Sequence, residues 1–215
     1  ISAKRWSRQY RTRLIEDDLS SLERVQDVGT LELLMLRLPE LVGSPLSIQS
    51  LREDLQVSHK TLSRWLLILE KLYAIFRLSP FGAPHIRAVK KEQKHYHFDW
   101  TLIEDLSLRF ENMVACHLLK WVNFDQDVKG LDRELRYFRD IDGREIDFII
   151  TEKSKPVLGI ECKWQDAPVS PALSYFRTRF PECEMWQLSA IGKEEYLTKH
   201  GIHVAPALQF LKNLI

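Results

Sequence analysis

A chain of 215 residues with 45% apolar side chains can fill two small cores, and its 31 Lys/Arg against 30 Asp/Glu leave a net charge of only +1. That balance argues against a disordered tail or a low-complexity scaffold, and no apolar run approaches the roughly 18 residues that would span a bilayer. Cys116, Cys162 and Cys183 are too few and too widely spaced for a disulfide framework or a zinc site, and they suit a reducing cytoplasm.

The charge is unevenly spread. Residues 1–98 hold 16 Lys/Arg and 11 Asp/Glu, while residues 99–215 hold 15 and 19. A basic front and an acidic back fit a front that touches phosphates and a back that gathers carboxylates, and ordinary surface variation gives the same totals. The chain opens on Ile1 with no charged-then-apolar leader, so it reads as a cytoplasmic protein or a piece of a longer one.

In chain order, Lys4, Arg5, Arg8, Arg11 and Arg13 surround Trp6 and Tyr10, as either a solvated arm or one that touches phosphates. Apolar spacing predicts a helix from Leu31 to Val42, stopped by Gly43 and Pro45. Ser47 opens a short helix with Ile48, Leu51 and Leu55 inward. After the break at Gln56-Val57, Ser58 caps a second helix that buries Leu62, Trp65, Leu66, Leu69 and Leu72. Two helices so closely spaced predict a helix-turn-helix. A strand over 74–78, a basic Pro/Gly turn (Pro80, Gly82, Pro84, Arg87, Lys90, Lys91, Lys94) and a strand over 95–98 complete a winged helix. On the second helix, Lys60 and Arg64 face away from the buried set with His59 and Ser63 beside them. These four, with Arg87, Lys90 and Lys91, form the expected nucleic-acid contacts; an exposed Leu67 equally suits a protein partner.

The joint falls near Asp99–Leu102, dividing a first domain (1–99) from a second (100–215). A long amphipathic helix over 102–121 leads into strands over 135–138, 145–151 and 157–164. A helix over 171–180, a strand over 183–188, a short strand near Val204 and a helix from Pro206 follow. That order predicts an α/β domain with a mixed sheet.

Alternation on the strand 145–151 places Glu145 and Asp147 on one face, and on the strand 157–164 it places Glu161 and Lys163 on one face, opposite Ile160, Cys162 and Trp164. Two adjacent strands can thus project two carboxylates and an ammonium to one place. Such a pair of carboxylates suits Mg²⁺ or Mn²⁺, which would screen a phosphate and activate water for in-line attack. The lysine would position or deprotonate that water, or stabilise developing charge. An acid, a spacer and a lysine is also a common string that an edge-strand ion pair would produce. His95 and His97 read as polar wing-strand residues without a third metal ligand, Trp164 and Trp186 as core, and Cys162 as a small buried apolar residue opposite the site.

The runs Phe110-Glu111-Asn112-Met113-Val114, Arg136-Tyr137-Phe138-Arg139, Gly143-Arg144-Glu145-Ile146-Asp147-Phe148 and Ile160-Glu161-Cys162-Lys163 resemble the C-terminal half of a large group of prokaryotic AAA-type ATPases. The front half is similar to them too, at Asp17-Asp18-Leu19, Leu55-Gln56-Val57-Ser58, Thr61-Leu62, Leu69-Glu70-Lys71-Leu72 and Tyr96-His97-Phe98-Asp99. In that group a P-loop ATPase is followed by a winged helix and a restriction-endonuclease-like domain of the PD-(D/E)XK kind. The resemblance implies that Asp147, Glu161 and Lys163 are catalytic, that Glu111 joins Asp147 and Glu161 as a metal ligand, and that DNA is the substrate. The rival reading keeps the same fold as a silent DNA- or protein-binding module serving an ATPase, and the intact Asp147, Glu161 and Lys163 favour the enzyme over it. No Gly-rich stretch ending in Gly-Lys-Ser/Thr occurs, since Gly192-Lys193 is followed by Glu194, so the ATPase module is absent from this chain.

Overall fold

The computed structural model describes residues 28–82 and 93–214. The basic arm, Asp17-Asp18-Leu19, Pro84, Arg87, Lys90 and Lys91 lie outside the described residues. The chain is of mixed α+β class, with six α-helices and a mixed six-stranded sheet among the described residues. Two compact units divide it: the first holds residues up to Arg77 and from Gln93 to Arg109, the second Leu78 to Gly82 and Phe110 onward.

In the first unit, α1 (Val28–Arg37) passes into a 3-10 turn, Leu38–Leu41, instead of continuing to Val42. Pro39 explains the change, because it has no amide to donate to the helical ladder. Helix α2 (Ile48–Asp54) begins where Ser47 Oγ accepts the Ser50 amide at 3.2 Å, and α3 (His59–Lys71) where Ser58 Oγ accepts the Thr61 amide at 3.0 Å. Between them Gln56 takes φ 54°, a left-handed residue that turns the chain sharply. Leu31, Leu34, Leu38, Leu51, Leu62, Leu66, Leu69 and Ile75 make the core, with Leu41, Ile48, Leu55 and Leu72 packed against it half-buried. Ser58→Ala removes a helix cap and is expected to cost about 1 kcal/mol, read as a lower urea midpoint of the first unit's transition; an unchanged midpoint would show that the cap contributes nothing.

Strands β1 (Ile75–Leu78) and β2 (Lys94–His97) pair as a two-stranded sheet, with Phe76 stacked on Tyr96 at 5.6 Å between centroids. Here the structure corrects the sequence reading. Lys94, placed in the basic turn, and His95 and His97, read as polar wing-strand residues, are all fully buried. His95 Nε2 lies 2.8 Å from the Leu38 carbonyl oxygen, and burial pulls its pKa down to about 4 and that of His97 to about 3. Both rings are therefore neutral at physiological pH.

Asp99 Oδ1 accepts the Thr101 amide (3.2 Å) and hydroxyl (2.6 Å), closing a 3-10 turn over Trp100–Leu102. The long helix α4 (Leu106–Lys129) starts later and ends later than its apolar spacing predicts. Asp105 Oδ1 accepts the Leu108 amide at its start, and Gly130, at φ 66°, lets the chain leave at its end.

The second unit's sheet runs β3 (Arg133–Arg139), β4 (Glu145–Glu152), β5 (Lys155–Lys163), β6 (Glu184–Ser189), β8 (Ile202–Pro206), β7 (Tyr196–Leu197) across the molecule. Pairing is antiparallel from β3 through β5 and between β7 and β8, and parallel at β5–β6 and β6–β8. Helix α5 (Pro171–Arg179) makes the crossover between β5 and β6, and α6 (Ala207–Leu211) follows β8. The β4–β5 turn places Lys153 and Ser154 both at positive φ, the two-residue geometry that matches the twist of a tight hairpin. Phe176 of α5 is fully buried among Phe81, Phe138 and Phe180, at 4.7–5.6 Å between ring centroids. Arg133 ties the end of α4 to the sheet: it pairs with the buried Asp125 and with Glu152 at 2.9 Å, and lies over Trp121 at 5.2 Å.

Residues 79–81, expected to start the wing turn, instead run along the outer edge of β3. Phe81 donates its amide to the Tyr137 carbonyl at 2.6 Å, and the Tyr137 amide donates to Ser79 at 3.3 Å.

Candidate functional site

β4 begins with the alternation its sequence predicts: Ile146 and Phe148 are buried while Glu145 and Asp147 are half-buried. Further along, Ile149 and Thr151 are buried too, so the face that carries Asp147 is covered over most of its length. The carboxylates stand where that cover gives out. On β5 the buried run extends from Leu158 through Glu161, and the strand opens only at Cys162 and Lys163.

The β4–β5 Cα pairing runs as far as Phe148–Ile160 in this direction. One step beyond, the Asp147 side chain takes over from the backbone: its Oδ2 accepts the Cys162 amide at 2.8 Å. Asp147 thereby comes to the β5 residues that flank Cys162, Glu161 and Lys163. Lys163 Nζ donates to Glu161 Oε1 at 2.8 Å. Glu161 is only 7% exposed and its Oε2 has no hydrogen-bond partner. Burial, and then the neighbouring Asp147 charge, push its carboxyl up to about 7 despite the pull of Lys163. Burial alone would lower the Lys163 ammonium, but the Glu161 hydrogen bond and the Glu161 and Asp147 charges outweigh it and raise its pKa above the ordinary lysine value. Two acids and an amine are thus gathered at one end of the sheet, with one buried carboxylate oxygen unspent.

The strained charge of Glu161 has a measurable sign. Its folded pKa lies above the unfolded one, so its favourable contribution is complete below pH 4.5 and is lost as pH rises through about 7. In a chelating buffer, Glu161→Gln is expected to gain roughly 2 kcal/mol over wild type at pH 8 and nothing at pH 4.5, by urea unfolding at each pH. Parallel stability curves for the two proteins would contradict it.

Glu111 sits half-buried in the early part of α4. No group of three or more His, Cys, Asp or Glu that could hold a metal is found among the described residues. Mg²⁺ needs only one or two carboxylates and keeps waters for the rest, so the Asp147–Glu161 pair with its free Oε2 fits such an ion.

On α3, His59, Lys60 and Arg64 are exposed and Ser63 half-buried, with Ser63 Oγ 3.3 Å from His59 Nδ1. Leu67 is 48% exposed. Trp164 and Trp186, expected in the core, are half-buried, and Trp186 stacks on His203 at 4.4 Å, tilted against Phe210. Cys162 is half-buried as well. Two polar residues on the carboxylate face carry no motif and escaped the sequence reading. Gln187 and Ser189 of β6 are the Cα partners of Glu161 and Lys163. Gln187 is spent on the loop ahead of α5: it donates to the Ala167 carbonyl at 2.9 Å and accepts the Ser170 amide at 2.9 Å.

A family model described as domain of unknown function (DUF8612) matches residues 2–112, and one described as domain of unknown function (DUF4143) matches residues 108–210. No curated protein and no solved structure matches the chain.

Proposed function

The chain belongs to the family described as domain of unknown function (DUF8612); from the site in its second unit we propose a metal-dependent phosphodiesterase that acts on DNA. The observation that carries the reading is the meeting of Asp147, Glu161 and Lys163 with Glu161 Oε2 buried and unpartnered. The second unit reads as restriction-endonuclease-like and the first as a winged helix. The pair reads as the part of an AAA-type ATPase that follows its nucleotide-binding module. Domains of the DUF4143 description are often found in AAA-ATPase-associated proteins, which supports that last step.

Asp147 and Glu161 would hold the Mg²⁺ or Mn²⁺, with Glu111 as the further ligand that the family resemblance implies. When bound, the cation supplies positive charge to the phosphate and activates water. Asp147 also orients the hairpin through the Cys162 amide. Lys163, whose pKa is raised, stays charged near neutral pH. Its part is that of a cation beside the developing phosphorane charge, not of a base. The exposed His59, Lys60 and Arg64 with Ser63 would hold the duplex through phosphates and base edges, with Arg87, Lys90 and Lys91 as further phosphate contacts.

The test is nicking of supercoiled and linear DNA in Mn²⁺ by wild type and Lys163→Ala. Cleavage lost in the variant supports catalysis. No cleavage by either, with a mobility shift that weakens as salt rises, leaves a silent DNA-binding module. The exposed Leu67 favours a variant of that second reading in which α3 meets a protein.

A further inference from the structure

Ser189 ends β6 with its hydroxyl buried, 4% exposed, and without a hydrogen-bond partner. As the Cα partner of Lys163 on the neighbouring parallel strand, it projects to the same face of the sheet. The loop beyond it is drawn tightly inward. Asp166 accepts the Lys193 amide at 2.9 and 3.1 Å and the Glu194 amide at 3.2 Å. At Gly192 an added Cβ would lie 2.4 Å from Ser189 Oγ and 2.1 Å from Asp166 Oδ1, so the missing side chain lets the hydroxyl and the carboxylate close on one spot. A buried acceptor beside a carboxylate attracts a cationic donor and repels an anion. Lys163 is such a donor: its ammonium carries three N–H groups and gives one to Glu161 Oε1.

We propose that Ser189 is a positioning residue for Lys163, its hydroxyl being the second resting place of the ammonium, taken up when a divalent cation engages Glu161. The proposal rests on the metal-site reading above. It explains why a hydroxyl is kept buried and unspent opposite the lysine: a cation on Oε2 draws the carboxylate's charge to itself and weakens the hold of Oε1 on the ammonium, and Ser189 then keeps the ammonium on that face of the sheet.

The test uses the full chain, trace acetylation of lysines with and without Mg²⁺, and mass spectrometry of the peptide containing Lys163. Without Mg²⁺, wild type and Ser189→Ala should label alike, because Glu161 holds the ammonium in both. With Mg²⁺, Lys163 should stay protected in wild type and label about tenfold faster in Ser189→Ala, with protection restored in Ser189→Thr. Equal labelling of wild type and Ser189→Ala in Mg²⁺ overturns the proposal. So does a Ser189→Ala protein in which every lysine labels faster and the melting temperature falls, since that marks a merely structural hydroxyl. Wild type that never nicks DNA removes the nuclease reading while the labelling result still decides this one.

Discussion

Mn²⁺-dependent nicking of supercoiled DNA should fall by about a hundredfold or more in Lys163→Ala, the scale on which a preorganised cation at a phosphoryl site acts. Lys163 stands on β5 beside two carboxylates, and its pKa is held up by them, so the charge is present throughout the neutral range. Truncation deletes that charge and the hydrogen bond that Lys163 Nζ gives Glu161 Oε1. The DNA mobility shift should be unchanged, because the α3 surface is untouched, and so the loss should appear in kcat and not in binding. Lys163→Arg should recover little, since a wider planar fork cannot match the single 2.8 Å contact with Glu161 Oε1. A variant that nicks within twofold of wild type would remove Lys163 from the chemistry.

Phe176→Ala should destabilise the second unit by about 3–5 kcal/mol, measured from the urea midpoint of that unit's own transition. Phe176 is fully buried, and its ring meets Phe81, Phe138 and Phe180 together. Those partners come from the edge stretch, β3 and the end of α5, so the cavity cannot close by moving one element. Leu67→Ala, on a side chain 48% exposed, should stay within about 0.5 kcal/mol and serves as the contrast. A Phe176→Ala loss below about 1 kcal/mol would mean that the aromatic cluster relaxes freely.

Local signals were readable where local physics decides. Ser47 and Ser58 announce their helices because a hydroxyl at that position satisfies an otherwise unmade amide bond, and both do so. The face shared by Glu161 and Lys163 follows from the period of a strand, and the contact between them follows from that. What could not be read depends on distant partners. Lys94, His95 and His97 are polar by type yet buried, and the carbonyl that meets the His95 ring lies 57 positions away. The late start of α4 depends on Asp99 and Asp105 choosing local turns over helix. The bond from the Cys162 amide to Asp147, and the place of Ser189 opposite Lys163, arise only once neighbouring strands are in register.

The short run Ser79–Phe81 also bears on how the β3 margin of the sheet meets other molecules at Tyr137. An open β-strand border offers a row of unclaimed amides and carbonyls along which a second chain can zip, the usual first step toward fibrous aggregates. Here the Tyr137 amide and carbonyl are already taken by Ser79 and Phe81, and Phe81 is pinned by its ring to Phe176 and Phe180. The molecule carries its own doorstop at that border, and its loosening would be felt first as self-association, ahead of any loss of the core.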